Sequence, residues 1–282
     1  MIDFILEPLQ FAFMQRALVG TMAVGVLCAV LGTFVVLRRI AFIGEGLAHG
    51  SLAGLAIGHI LHWDLYLTGN LYTAGLAMLI GYLHEKARVS FDTAIGIIFS
   101  ASMALGVALI SRMKFYTTDL TGYLFGSVLS ISSSDLQTML LGTGIILLLI
   151  FLFYKELVFC SFDAEMAQVT GVPRAFFHYL LLAMIAVAVV IASQTLGIIL
   201  VTALLVTPAA SAFQLTSRLD RMILVAVGTS VSASLIGLFA SYYLNVASGA
   251  SIALTASLLF VLSYLFSPRR KSWRKSLGFK EV

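Results

Sequence analysis

Residues 42–61 read FIGEGLAHGSLAGLAIGHIL, a stretch long and apolar enough to cross a bilayer that nevertheless carries Glu45, His49 and His59. An ionised glutamate facing lipid costs at least ~3 kcal/mol on insertion scales, so such a segment has to face protein, a wet cavity or an ion. It is therefore read as one helix of a bundle. Glu45 and His49 stand four residues apart and share a helix face. Along an adjoining face run Gly46, Gly50, Gly54 and Gly58, a small-residue stripe that lets neighbouring backbones approach closely.

The rest of the chain is of the same kind. Hydrophobic residues make up 60% of the sequence, charged residues 11%, and the mean hydropathy is +1.04. These values exclude an ordinary soluble domain and indicate a polytopic membrane protein. Roughly 20 apolar residues cross a hydrocarbon core, so 282 residues supply about nine spans (8–10) and leave no room for a soluble catalytic domain. The expected fold is an all-α transmembrane helix bundle forming a single domain over 1–282. Its spans are predicted at 17–37, 40–61, 68–84, 92–111, 134–154, 174–193, 198–217, 222–243 and 250–267. Segment 117–133 is broken and hydroxyl-rich, and is expected to form a short helix or re-entrant turn. The start, MIDFILEPLQFAFMQ, lacks the basic region of a signal peptide and reads as an interfacial lead-in. Cys28 and Cys160 read as small packing residues.

With the N-terminus outside, fourteen of the 17 lysines and arginines fall on the cytoplasmic side, leaving Arg16, Arg112 and Lys114 outside. That bias places the basic tail 268–282 in the cytoplasm. The tail is a topology and lipid-surface signal, so the pI of 9.1 requires no nucleic acid. With Arg39 at the cytoplasmic face, a continuous helix puts His49 about 15 Å further in, near the midplane.

Carboxylate and imidazole at i and i+4 suit Mn²⁺, Fe²⁺ or Zn²⁺. The alternative is a structural Glu–His hydrogen bond. Two donors do not complete a metal site, and a second copy of the chain would bring a second Glu45 and His49. His59, His62 and Asp64 lie at the outer end, either as a loading funnel or as ordinary surface residues. His84 and His178 read as interfacial residues at cytoplasmic span ends.

In SFDAEMAQVTGVPRAFFHYLL, residues 161–181, Asp163 can cap a helix, Glu165 suits its first turn, Gly171 can end it, and Pro173 stands where the next span begins. A short cytoplasmic helix over 163–171, offering Met166 and Ala167, could receive force from a soluble motor subunit, or could simply connect two spans.

GEGLAHGSLAGLAIG resembles the GDALSHA-type helix of the manganese, zinc and iron permeases of bacterial ABC importers. FDTAIGIIFSASMALGVALIS, TDLTGYLFGSVL, FDAEMAQVTGVP, TLGIILVTALLVTPAASA and SGASIALTASLLF are similar to that family's other blocks, in its order. The resemblance implies a type II ABC importer-like permease, homodimeric, in the bacterial cytoplasmic membrane. Two cytoplasmic ATP-binding subunits would drive it and an extracytoplasmic metal-binding protein would feed it. It further implies Glu45 and His49 as ligands of the transported ion, no cofactor bound by the chain itself, and a coupling helix containing Asp163, Glu165, Met166, Ala167 and Gly171. Glu45 stands where the family pattern often has aspartate, a departure that bears on which metal is moved. The oxygen- and nitrogen-donor set favours manganese, then zinc, then iron.

No GxxxxGK[ST] pattern occurs, so ATP hydrolysis would fall to another chain and this one is not expected to be an enzyme. A proton-coupled secondary transporter using Glu45 and His49 as a relay is the rival reading. An intramembrane metalloprotease would need a set such as HExxH, which the sequence lacks. A passive channel would leave the short cytoplasmic helix without a role.

Overall fold

The computed structural model describes residues 7–112 and 128–267, and among these it is all-helical. The helices are α1 (Ala12–Leu37), α2 (Ile43–Leu61), α3 (Leu65–Lys86), α4 (Phe91–Ser111), α5 (Ser133–Leu152), α6 (Tyr154–Phe162), α7 (Ala164–Val169), α8 (Arg174–Leu196), α9 (Ile198–Leu215), α10 (Leu219–Leu244) and α11 (Ser248–Leu265). A 3₁₀ turn covers Val128–Ser130. Side-chain caps fix several starts. Asp64 accepts from the Leu67 amide at 2.8 Å to begin α3, and Ser90 accepts from the Thr93 amide at 3.1 Å to begin α4. Ser132 and Asp135 form a reciprocal capping box on α5.

Each expected span corresponds to a long helix. Seven of them, α1, α4, α5, α8, α9, α10 and α11, are long and apolar enough to cross a membrane. The other two, α2 and α3, are diluted by glycine and polar residues, Glu45, His49 and His59 in one and Asn70, His84, Glu85 and Lys86 in the other. Residues 1–6 of the interfacial lead-in, the tail 268–282 and residues 117–127 of the 117–133 segment lie outside the described residues, while Ala12–Gln15 of the lead-in form the first turn of α1.

Helix α1 is the most buried span, packed chiefly on α9 and α10. At Gly32 the α1 backbone crosses so near the Leu205 carbonyl of α9 that no side chain fits between them. Ser230 of α10 donates to the Gly25 carbonyl at 2.9 Å on the same helix. In the other half of the bundle α2 packs on α3 and α4, and α8 lies along α3. Methyl groups at Gly46, Gly50 and Gly54 would lie 2.6, 2.8 and 2.7 Å from Ile95, Leu76 and Tyr72, so the glycine stripe is where α2 meets its neighbours. Ser102 of α4 ties this contact by donating to the Gly50 carbonyl at 2.8 Å while meeting the Tyr72 hydroxyl at 3.0 Å. The outer faces of α4 and α5 expose Ile97, Val107, Leu141, Leu148 and Phe151, a surface that suits lipid.

Two local features depart from the sequence reading. Arg38 to Phe42 is a turn, with Arg39 at φ 58°, so α2 starts at Ile43 instead of continuing from 40. His49 therefore lies about 9 Å along its own helix, roughly a third of its length. The expected span 134–154 also stops at Leu152, because the chain bends at Phe153 and a separate helix, α6, follows. Tyr154 pins α6 to the start of α10 by donating to Asp220 at 2.8 Å. Burial and this bond push its hydroxyl up to about 12.

Candidate functional site

Glu45 is the third residue of α2, where a carboxylate is favoured by the amide dipoles of the helix start. Its side chain is exposed and makes no hydrogen bond or ion pair with any described residue. It borders two cavities. One, of about 320 Å³, lies against α9 and is walled by Thr202, Ala203 and Val206. The other, of about 260 Å³, lies against α4 and is walled by Asp92, Ile95, Gly96 and Phe99.

One turn further in, His49 is half-buried, with its ring edge-on to Phe99 at 5.8 Å between centroids. Its Nδ1 is buried without a partner. Glu45 and His49 thus share a face, as the spacing implied, but the structural hydrogen bond considered as the alternative does not join them. A carboxylate and an imidazole with unused donor atoms, beside open space, can accept a cation. Among the described residues no three His, Cys, Asp or Glu side chains gather into a metal-holding group, so one chain brings two donors here.

Asp92 was missed by sequence reasoning. It is an exposed first-turn residue of α4, capped by Ser90, and it borders the same cavity as Glu45. Its place in FDTAIG looked like ordinary helix-start chemistry, and only the packing of α4 on α2 brings it to Glu45.

The residues around the end of α2 are dispersed. His59 lies in the last turn of α2, His62 takes a left-handed conformation at φ 52° that ends the helix, and Asp64 is spent capping α3. The three do not gather into a metal-holding group.

The expected short helix is present as α7. Asp163 accepts from the Met166 amide at 2.9 Å and caps its start. Gly171, at φ 87°, ends it in a Schellman motif, with the Gly171 amide on the Gln168 carbonyl at 3.2 Å and the Val172 amide on the Ala167 carbonyl at 3.0 Å. Glu165 is exposed, as are Met166 and Val169. Ala167 is not: it is fully buried against the bundle, so its expected place on a docking surface is corrected. On a two-turn helix resting on α6 and α8, one position in each turn must face inward, and here it is Ala167. Cys28 and Cys160 are both buried and free.

A helix bundle with apolar outer faces and a carboxylate–imidazole pair on a glycine-packed inner helix defines a multi-pass membrane permease. The chain belongs to the ABC 3 transport family, whose model matches residues 10–267. It is 40% identical over 262 residues to a manganese transport system membrane protein, MntC, of Listeria monocytogenes, covering 93% of each chain. It is 36% identical over 276 residues to the manganese import system permease protein ScaB of Streptococcus gordonii, covering 98% of this chain and 99% of that one. The solved structure of PsaBC from Streptococcus pneumoniae in complex with Fab superposes with a TM-score of 0.87 at 36% identity, covering 99% of this chain and 100% of that one. These matches bear out the resemblance to metal ABC importer permeases and place the chain in the bacterial cytoplasmic membrane.

Proposed function

We propose that this chain, a single permease domain over 1–282, is the membrane subunit of an ABC importer that moves a divalent transition metal into the cytoplasm. Manganese is the favoured cargo, with zinc next and iron third. The relatives named above as manganese transport proteins support that order at its head. The mixed carboxylate and imidazole donors, with no thiol beside them, suit manganese and also bind zinc.

The observation that carries the reading is Glu45. It is an exposed, unpaired carboxylate on a helix packed among spans, next to an imidazole with an unpartnered buried nitrogen. Such a group is costly against lipid, so something polar covers it. A second copy of the chain would cover it and would raise the donor set from two to four. The assembly is therefore a homodimer whose paired Glu45 and His49 side chains hold the ion in transit, with Asp92 near the inner end of the same groove.

An extracytoplasmic metal-binding protein delivers the ion, and His59, His62 and Asp64 lie at that end. Two ATP-binding subunits dock from the cytoplasm onto α7, using Asp163, Glu165, Met166 and Val169, with Gly171 holding the turn. The C-terminus and the loop carrying α7 lie inside.

Uptake of ⁵⁴Mn²⁺ into proteoliposomes, with and without the ATP-binding subunit, tests this. Wild type takes up metal only with the subunit and ATP, and Glu45→Gln and His49→Ala each abolish uptake while inserting normally. Wild-type uptake in both variants refutes the ligand assignment. Uptake driven by a proton gradient without the subunit selects the secondary-transporter alternative.

A further inference from the structure

At the ends of α1, α3 and α8 the structure holds a cluster that metal transport leaves without a role. A cavity of about 320 Å³ is bordered there by Arg38, Arg39, Arg174, Glu85, Cys160 and His178. It shares Glu85 and Arg174 with a neighbouring cleft of about 620 Å³ that runs under the loop leaving α7.

Arg38 is the unusual member. Its guanidinium is half-buried, its Nε donates to Ser161 at 3.1 Å, its Nη1 donates to Nδ1 of His178 at 3.2 Å, and its Nη2 is buried with no acceptor. None of these contacts supplies negative charge. Because Nδ1 of His178 accepts from an arginine, that ring carries its proton on Nε2 and is neutral. The Ser161 hydroxyl already donates to the Leu157 carbonyl at 2.6 Å. Burial raises the Cys160 thiol above its usual range, which keeps it protonated. Burial lowers Arg38, Cys160 opposes that and Arg174 adds to it, and no carboxylate takes part. Glu85, the one acid on the cavity, instead accepts from the Tyr179 hydroxyl at 3.1 Å.

Three guanidinium groups thus border a polar cavity with one carboxylate, and a half-buried arginine lacks a counter-charge among the described residues. An uncompensated buried charge is strongly unfavourable, so an anion belongs here. The cavity exceeds the size of a phosphate and has room for a glycerol beside it. Arginine pairs well with phosphate oxygens, and exposed Arg174 is free to turn onto a group held at the cavity mouth.

We propose that this cavity binds a phosphate-bearing anion between Arg38 and Arg174, supplied either by an anionic lipid headgroup or by free phosphate. Basic pockets between spans at a cytoplasmic face are suited to lipid headgroups.

The test uses the purified full-length permease in a non-ionic detergent, with the unfolding midpoint followed by intrinsic fluorescence. The chain is titrated with dihexanoyl phosphatidylglycerol, with the zwitterionic phosphatidylcholine analogue, and with inorganic phosphate against chloride at equal ionic strength. The midpoint rises with phosphatidylglycerol and not with phosphatidylcholine. Arg174→Gln, an exposed site where folding is undisturbed, and Arg38→Gln each weaken the apparent affinity by roughly tenfold, the loss expected for one charge-assisted contact. A rise with phosphate as well shows that the phosphate group alone is recognised, and a rise with the lipid alone assigns the site to a headgroup. No rise with either, or an equal rise in wild type and Arg174→Gln, overturns the proposal. So does the combination of no rise with either anion and a stabilisation by the ATP-binding subunit that Arg174→Gln removes, which would assign the missing charge to a carboxylate of that partner.

Discussion

Two substitutions on α7, two residues apart, should have opposite consequences. Ala167 is 0% exposed and Val169 is 81% exposed. Ala167→Arg forces a long charged side chain into space filled by α6 and α8. Overpacking costs about 1–3 kcal/mol and an unpaired buried charge a further few kcal/mol, so the variant should unfold α7 or fail to accumulate. Val169→Arg changes a solvent-facing side chain and should shift stability by less than about 0.5 kcal/mol. If α7 seats in the ATP-binding subunit, however, that residue is at the contact. A charge in place of an apolar anchor there costs on the order of 2 kcal/mol or more, roughly a thirtyfold loss of docking affinity. The assays are expression and thermal unfolding of the permease alone, co-purification with the ATP-binding subunit, and ATP-dependent uptake. Val169→Arg should unfold at the wild-type temperature yet lose co-purification and uptake. Normal docking and transport in Val169→Arg would show that α7 is only a connector. Normal folding of Ala167→Arg would contradict the packing that buries it.

Ser102→Ala removes the donor to the Gly50 carbonyl and the partner of Tyr72, two bonds worth together about 1–2 kcal/mol. Its midpoint in detergent should fall by a few degrees, and an unchanged midpoint would mean that the glycine contacts alone hold α2. Gly197 alone separates α8 from α9, at φ 86° and ψ 154°, a conformation that residues with a side chain rarely adopt. Gly197→Ala should cost about 1–3 kcal/mol, and a variant as stable as wild type would argue against that geometry. A cysteine at Ser272 in an otherwise cysteine-free chain should resist impermeant maleimide added to sealed cells and react once they are opened. Labelling in sealed cells would reverse the topology.

Periodicity and hydropathy located the long helices because a span must be continuous and apolar, and its ends are marked by the residues that cap or break it. Asp64, Ser90 and Gly171 do at helix ends what their residue types allow. The errors came where apolar sequence continued through a bend. Lys155 and Glu156 mark the end of the apolar run to within a few residues but do not show that a second helix follows directly, and the Arg38–Phe42 turn is as apolar on its far side as a helix would be. For the site, Glu45 and His49 stood out because a charge in an apolar stretch is costly wherever it points. Asp92, Arg38 and Arg174 did not, since acids at helix starts and arginines between spans are ordinary. Their relation to one another is set by long-range packing, which no local pattern carries. Burial of Ala167 was invisible for the same reason, because the face of a two-turn helix is chosen by what it rests on.

The connectivity also says where motion at α7 would arrive. Helix α7 leads through Pro173 into α8. The structure extends the route: α8 passes into α9 through Gly197 alone, and α9 supplies Thr202, Ala203 and Val206 to the cavity beside Glu45. Helix α8 also lies along α3, which together with α4 clasps the glycine face of α2. On the proposed reading, displacement of α7 by a docked ATP-binding subunit reaches the Glu45 groove along two walls. One runs through α9 on one side of the carboxylate, and the other through α3 and α4 on the side that carries Asp92. Glycine-packed α2 has little freedom to follow, since its backbone is tied to α4 by the Ser102 bond. Relative movement of the walls against a fixed α2 would open or close the space around Glu45 and His49 while leaving the two side chains in place. An importer that must hold an ion and then release it needs that separation between a fixed ligand pair and movable walls.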